Sequence, residues 1–213
     1  MQRLNINDRK YWSMGAPLLE TILINRAMIG QIKQPYDDIA PDYDQIHSNP
    51  EALAENAIIL SKMGNDYKSV LDIGCGTGLA FELLKPEKYV GIDPSTAMID
   101  RFWHKFAPGP NTKTVVAKFE EFYTADKFDL IVSLYGAASY IEPSALERIT
   151  DMLNEGGRYF LMFYQDGYFP VTYERSGVTT QHYDFETSLK ACAGLKNCKI
   201  SKHLNFWILE GNI

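Results

Sequence analysis

The sequence predicts an α/β fold, a doubly wound and mostly parallel sheet finished by a C-terminal antiparallel hairpin. Three observations carry that prediction. Apolar runs of strand length alternate with helical segments through the middle of the chain, the rhythm of right-handed βαβ units. One run, Val70-Leu71-Asp72-Ile73, leads into three alternate glycines, Gly74, Gly76 and Gly78, which permit positive φ and the close approach of a ligand to bare main chain. Near the end, Lys199 to His203 and Phe206 to Leu209 stand too close together for a crossover helix, so they pair as a hairpin.

The elements follow in order. Between Pro17 and Ile32, Leu18, Leu19, Ile22, Leu23, Ala27, Met28 and Ile29 recur at three- and four-residue spacings, a helix with a broad apolar face. It is either a packing helix, on the domain or on a second subunit, or a lid over a site. Residues 1–34 are therefore read as a helical extension and 35–213 as one domain. Tyr36 to Asp44 is polar and aromatic without clear periodicity. Asn49-Pro50-Glu51 supplies an N-cap, a first-turn proline and a first-turn acid to a helix with Leu53, Ala57, Ile58 and Leu60 inside and Gly64 at its end. After the glycine turn, Leu79 to Leu84 is a helix stopped before Pro86. Tyr89 to Ile92 is strand two, ending at Asp93-Pro94, and Ser95 caps a helix that ends before Pro108-Gly109-Pro110. Thr114 to Val116 is strand three. Phe128 to Leu134 is strand four, apolar as a strand buried on both faces should be. Pro143 to Leu153 reads as a helix closed by Gly156-Gly157, and Tyr159 to Tyr164 as strand five. Residues Gln165 to Asp184 show no period; Asp184 then caps a helix from Phe185 to Ala193.

Composition limits the function. The chain has 213 residues, 46% hydrophobic and 23% charged, which fits one core. A net charge of -6 disfavours binding that depends on neutralising phosphates, so nucleic acid and anionic membranes are unexpected partners. Cys75, Cys192 and Cys198 show no CxxC spacing and suggest neither a disulfide framework nor a zinc site, which points to a reducing cytoplasm. No carboxylate cluster argues for a catalytic metal. The N-terminus lacks an apolar signal region and no run of 18 uncharged apolar residues occurs, so a soluble, non-secreted protein is expected.

In a doubly wound sheet the ligand lies at the carboxyl ends of the strands beside strand one. That location gathers the glycine turn, with its backbone N–H groups and helix N-terminus. It also gathers Asp93, placed to accept both hydroxyls of a ribose, Phe119 to stack on a base, and Ser133-Leu134-Tyr135 facing the reacting end. A dinucleotide fingerprint would read G-x-G-x-x-G, whereas the third glycine here comes one residue early, at Gly78. Asp72 also aims a carboxylate at the turn, which suits a ligand with an ammonium group better than a pyrophosphate.

Leu71 to Gly78, then Gly91-Ile92-Asp93-Pro94-Ser95, Phe128 to Ser133, and Leu153-Asn154-Glu155-Gly156-Gly157 resemble, in order, the motifs of the class I S-adenosylmethionine-dependent methyltransferases. The resemblance runs over about residues 35 to 211 and implies that family's seven-stranded Rossmann-like sheet, with the terminal hairpin as strands six and seven. It implies S-adenosylmethionine as cofactor. Gly74, Cys75, Gly76 and Gly78 would line its methionine and ribose portion, with Asp72 near the amino group, and Asp93 with Pro94 would take the ribose hydroxyls. Ser133 or Leu134 would give a carbonyl to the amino group. Tyr36 and Tyr43, in a stretch similar to the Y-D-x-x-A-x-x-Y-D element preceding such domains, would close over the cofactor or serve as packing. Lys118 stands where many relatives carry an acid for the adenine amine; lysine cannot accept a hydrogen bond, which leaves that role to Glu120 or the main chain.

Methyl transfer from a sulfonium depends mostly on alignment and exclusion of water, so a dedicated base is optional; Tyr135, Tyr140 and His182 are the candidates. Strand four does not run into the N/D-P-P-Y/F motif of amino-methylating nucleic-acid enzymes, and no Pro-Cys nucleophile is present. With the acidic charge, this favours an N or O atom of a small molecule as acceptor, in a monomer or a homodimer through the N-terminal helix. A protein or RNA methyltransferase and a non-catalytic cofactor-binding subunit are the alternatives.

Overall fold

The computed structural model describes residues 34–178 and 180–213. The helix expected between Pro17 and Ile32 lies outside the described residues, and with it almost all of the expected extension. The described chain starts with a strap of two 3-10 turns, Pro35–Asp38 and Ala40–Asp42, running into a single α turn, α1 (Tyr43–Ile46). Helix α2 (Pro50–Met63) follows, with the Asn49 side chain accepting from the Ala52 N–H at 2.8 Å as the N-cap must. Strand β1 (Ser69–Ile73) leads through the glycine turn to α3 (Leu79–Leu84), and β2 (Lys88–Asp93) leads to α4 (Thr96–Lys105). Then come β3 (Thr112–Val116), β4 (Phe128–Ser133), the short α5 (Arg148–Asp151), β5 (Leu153–Tyr164), α6 (Val171–Ser176) and α7 (Phe185–Ala193), and the chain closes with β6 (Lys199–His203) and β7 (Phe206–Asn212).

The seven strands form one sheet in the order β3-β2-β1-β4-β5-β7-β6. Pairing is parallel from β3 to β5, and β7 runs antiparallel to both β5 and β6. Successive side chains of a strand point to opposite faces, and both faces are covered. Val70, Tyr89, Val132 and Phe160 pack with Ile59 and Met63 of α2 and Phe102 of α4. Leu71, Ile92, Ile131 and Tyr159 pack with Ile149 of α5 and Cys192 of α7. This three-layer packing leaves the carboxyl ends of the parallel strands as the open edge of the architecture.

Four expectations are corrected. The helix expected over Pro143 to Leu153 is broken into a 3-10 turn, Pro143–Ala145, and the four-residue α5. Gly156 and Gly157 do not close it but lie inside β5, where the register slips between Phe128 and Leu130. A Cβ on Gly157 would come within 2.9 Å of the Phe128 carbonyl oxygen, so the bulge demands glycine. On α2 the buried positions are Ile59 and Met63, while Leu53, Ala57 and Ile58 are exposed; the apolar residues cover more than one face, and counting them did not single out the inward stripe. Finally, Cys192 and Cys198 form a disulfide. The end of α7 and the start of β6 bring their Cα atoms within 5.4 Å, a proximity that spacing along the chain does not reveal.

Candidate active site

The carboxyl ends of β1, β2 and β4 open into a cavity of about 590 Å³. Its floor is the glycine turn, where Gly74 and Gly76 line the space, followed by Asp93 and Pro94 at the end of β2. Phe119 and Glu120 form one wall and Leu134 and Tyr135 another, while Tyr36, Tyr43 and Tyr140 close the top. Of the residues singled out from the sequence, these eleven meet around one space.

Asp93 is the organising charge. Its Oδ2 accepts from the Gly76 N–H at 2.9 Å and its Oδ1 from the Ser95 N–H at 2.8 Å. A carboxylate has about four lone-pair sites, so acceptor capacity remains on the cavity side. Burial pushes its carboxyl up to about 6; the Ser95 and Gly76 hydrogen bonds oppose the shift and the nearby Asp37 adds to it.

The glycine turn spends most of its N–H groups within the fold. Its backbone N–H groups do not form an open anion cradle: those of Gly74 and Cys75 donate to the Ile92 carbonyl at 2.8 and 3.0 Å, that of Gly76 to Asp93, and that of Gly78 to the Cys75 carbonyl at 2.9 Å. A buried carboxylate stands at its centre. Gly76, at φ +50°, has nothing within 4 Å of the place a Cβ would take, which is the cradle a bound ligand needs.

Five expected site residues stand off the cavity. Gly78 serves packing: a Cβ there would lie 2.5 Å from the Phe102 ring. Asp72 is buried and accepts from the Tyr89 hydroxyl at 2.6 Å; burial pushes its carboxyl up to about 7, against the pull of that hydrogen bond and with a contribution from Asp93. Cys75 is buried, and burial pushes its thiol far up. The Ser133 hydroxyl donates to the Ile73 carbonyl at 2.8 Å, tying β4 to β1. His182 lies behind the wall, with Nδ1 on the Gln165 carbonyl at 3.2 Å and Nε2 on the Tyr173 hydroxyl at 3.1 Å. A carbonyl only accepts, so Nδ1 carries the proton and Nε2 takes the Tyr173 O–H. Neither nitrogen is left to serve as a base.

The two tyrosines named as bases are hydrogen-bonded phenols. Tyr135, at φ +48° in the turn after β4, donates its hydroxyl to Asn56 Oδ1 at 2.6 Å. Tyr140 shares a hydrogen bond with Tyr36, O to O 3.0 Å. Burial pushes both hydroxyls well above the usual tyrosine range.

Residues not named as site residues from the sequence hold the site together. Asp37 accepts from the Ser95 hydroxyl at 2.6 Å, and Asp44 from the Thr77 hydroxyl at 2.5 Å. The strap thus clasps the start of α4 with one aspartate and the glycine turn with the other, and the doublets Tyr36-Asp37 and Tyr43-Asp44 were the visible signal. Arg148 grips the turn that carries Phe119, and Tyr164, at the end of β5, completes the upper wall. Among the described residues no group of three His, Cys, Asp or Glu side chains could hold a metal ion, and no helix is long and apolar enough to cross a membrane.

Comparison with known proteins bears on the fold. Residues 70–157 match a family model described as a methyltransferase domain. An uncharacterized protein of Methanocaldococcus jannaschii is 33% identical over 129 residues, 59% of this chain and 49% of that protein, so the chain spans about half the length of that relative. Among solved structures, the N-methyltransferase NodS of Bradyrhizobium japonicum, in complex with S-adenosyl-L-homocysteine, superposes with a TM-score of 0.58 at 19% identity, over 78% of this chain and 89% of that one. A chain described as a methyltransferase, in complex with the Haloferax volcanii Trm112 methyltransferase activator, gives 0.68 at 14% identity, over 85% and 99%. An S-adenosylmethionine-bound amino pentose methyltransferase of Micromonospora echinaspora gives 0.54 at 16% identity, over 90% and 97%. Residues 70–157 thus match a methyltransferase domain, and the chain shares the fold of these solved methyltransferases.

Proposed function

We propose that the chain binds S-adenosylmethionine and transfers its methyl group to a nitrogen or oxygen of a small-molecule acceptor. The observation that carries this is the state of the glycine turn, where the N–H groups of Gly74, Cys75, Gly76 and Gly78 are satisfied internally and whose centre is the Asp93 carboxylate. The residues fit the cofactor: Asp93 would hold the ribose hydroxyls over Gly76, Phe119 would flank the adenine with Glu120 beside its amine, and Tyr36 and Tyr43 would close over it. Bound there, the cofactor supplies an electrophilic methyl group. The chain's own part is to align the acceptor and exclude water, with no proton acceptor needed beyond solvent. Residues 35–213 would form the working domain, and a cytoplasmic monomer or homodimer is the setting proposed. Two of the structural neighbours are by name an N-methyltransferase and an amino pentose methyltransferase, which supports a small-molecule acceptor.

Calorimetric titration tests the donor site. The wild type should bind S-adenosylmethionine, and Asp93→Ala should weaken it at least about tenfold, the loss of hydrogen bonds to a charged group; equal binding by the variant would sink the site. Turnover with a labelled methyl donor in fractionated extract then separates an enzyme from a cofactor-binding subunit.

A second reading, methylation of protein or RNA with a partner subunit, is favoured by the neighbour solved with a methyltransferase activator. It predicts that labelled product migrates with macromolecules, and with RNA in an RNase-sensitive band.

A further inference from the structure

The upper end of the cavity is built from tyrosine rings set at angles to one another. Tyr36 and Tyr140 have centroids 6.2 Å apart and planes at 86°, and Tyr140 and Tyr164 are 6.5 Å apart at 79°. Rings so arranged turn a corner instead of stacking flat, and a ring's face carries the negative side of its quadrupole. The three come from unrelated parts of the chain, the strap, the turn after β4 and the end of β5, and all line the cavity. The Tyr36 and Tyr140 hydroxyls are bonded to each other. The charged side chains lining the same cavity are Asp93, Glu120, Glu121 and Glu142 against Lys118, a net negative field. Tyr140 is 37% exposed, which puts the corner within reach of a molecule arriving from solvent.

We propose that the corner of Tyr36, Tyr140 and Tyr164 receives an alkylammonium group, so that the methyl acceptor is an aliphatic amine. An onium cation over aromatic faces is held electrostatically, and more strongly as water is excluded. The inference rests on the methyltransferase reading and narrows it. An amine also suits a cavity whose candidate bases are all engaged, since it needs no protein base. The bound ammonium gives one proton to water at the open rim. Its lone pair then forms the new N–C bond as the C–S bond of the donor breaks and its electron pair stays on sulfur, leaving the neutral thioether and an N-methylammonium product.

Binding without turnover tests this. The full chain is loaded with S-adenosyl-L-homocysteine, and two probes of one shape are titrated by calorimetry: choline, which carries the cation, and 3,3-dimethylbutan-1-ol, its uncharged carbon isostere. Choline should bind at least about tenfold more tightly. Tyr140→Leu and Tyr36→Leu should each cut that preference to about threefold or less, and Tyr140→Phe, which keeps the ring and loses the hydroxyl, should retain it. Equal binding of the two probes would overturn the proposal, as would a preference indifferent to the leucine variants or one lost in Tyr140→Phe. The corner could instead hold the donor's sulfonium. In that case the leucine variants would erase a preference for S-adenosylmethionine over S-adenosyl-L-homocysteine and leave choline as weak as its isostere, which also overturns it. Failure of the first ligand to bind at all would show, before any probe is added, that the donor reading has failed and this one with it.

Discussion

The Arg148 guanidinium lies 5.0 Å from the centroid of Phe119 and 4.5 Å from that of Tyr123. Its Nη1 donates to the carbonyls of Phe119 and Glu120, each at 3.3 Å, and its Nη2 to that of Phe122. Only a planar fork with several donors can collect the carbonyls of one turn in this way while sandwiched between rings. Arg148 is therefore a positioning residue for Phe119 and Glu120, the wall assigned to adenine. Arg148→Ala should weaken S-adenosyl-L-homocysteine and free adenosine by a similar factor of about ten, and Arg148→Lys should recover little of it; calorimetry on folded variants that showed unchanged affinity would refute the role. Two glycines of one turn divide in the same manner. Gly78→Ala places a methyl 2.5 Å from Phe102 at φ +96°, so it should lower stability by at least about 2 kcal/mol in denaturant titration. Gly76→Ala meets open space at φ +50°; it should cost about 1 to 2 kcal/mol of stability and act mainly on donor affinity, because its methyl enters the cavity.

The strap is an element whose conformation is set by its ends and not by its own periodicity. Its short 3-10 turns bury little besides Ile39 and Ala40, so its closed position depends on the Asp37 and Asp44 clasps, with Lys105 3.7 Å from Asp44. Asp37→Ala with Asp44→Ala should accelerate amide exchange at Ile39 and Asp42, whose N–H groups bond within the strap, and speed donor release while the sheet amides stay protected; uniform loss of protection would mean global destabilisation instead. Strands β1, β2 and β4 were legible in the sequence because burial on both faces leaves continuous apolar runs, and the capped helices α4 and α7 because Ser95 and Asp184 announce them. The strap, α6 and the broken segment before β5 were not, since tertiary contacts decide them. Around the cavity, Asp93, Gly74 and Gly76 were legible from their order along the chain. The satisfied N–H groups, the diversion of Asp72 to Tyr89 and the tyrosine corner depend on juxtapositions across 17 to 104 residues of sequence, which no local pattern encodes.

At the scale of the whole molecule, two buried carboxyls set stability and ligand binding against each other. Asp72 and Asp93 are pushed up, to about 7 and about 6, chiefly by burial. A carboxyl whose pKa is higher folded than unfolded binds its proton more tightly in the folded state. Its favourable contribution is therefore fully present below the unfolded value of about 4, and it is lost as pH rises through the folded value. Between about pH 4 and 7 these two groups draw stability down, while the same rise in pH ionises Asp93 and, in the proposed function, would make it the better acceptor for ribose hydroxyls. Donor affinity should accordingly increase from pH 5 to 7 in the wild type, and the increase should vanish in Asp93→Ala. Asp72→Asn keeps an acceptor for the Tyr89 hydroxyl and removes the titrating charge. Relative to wild type, it should be neutral at pH 4 and more stable at pH 8 by roughly 2 to 4 kcal/mol, visible as a melting-temperature gain of several degrees for a chain of this length. Because Asp72 stands off the cavity, donor affinity at pH 8 should change less than about twofold, below 0.5 kcal/mol. A variant no more stable than wild type at pH 8 would show that Asp72 is not held against its charge. A stable variant that lost donor binding would restore this carboxylate to the methionine amino group.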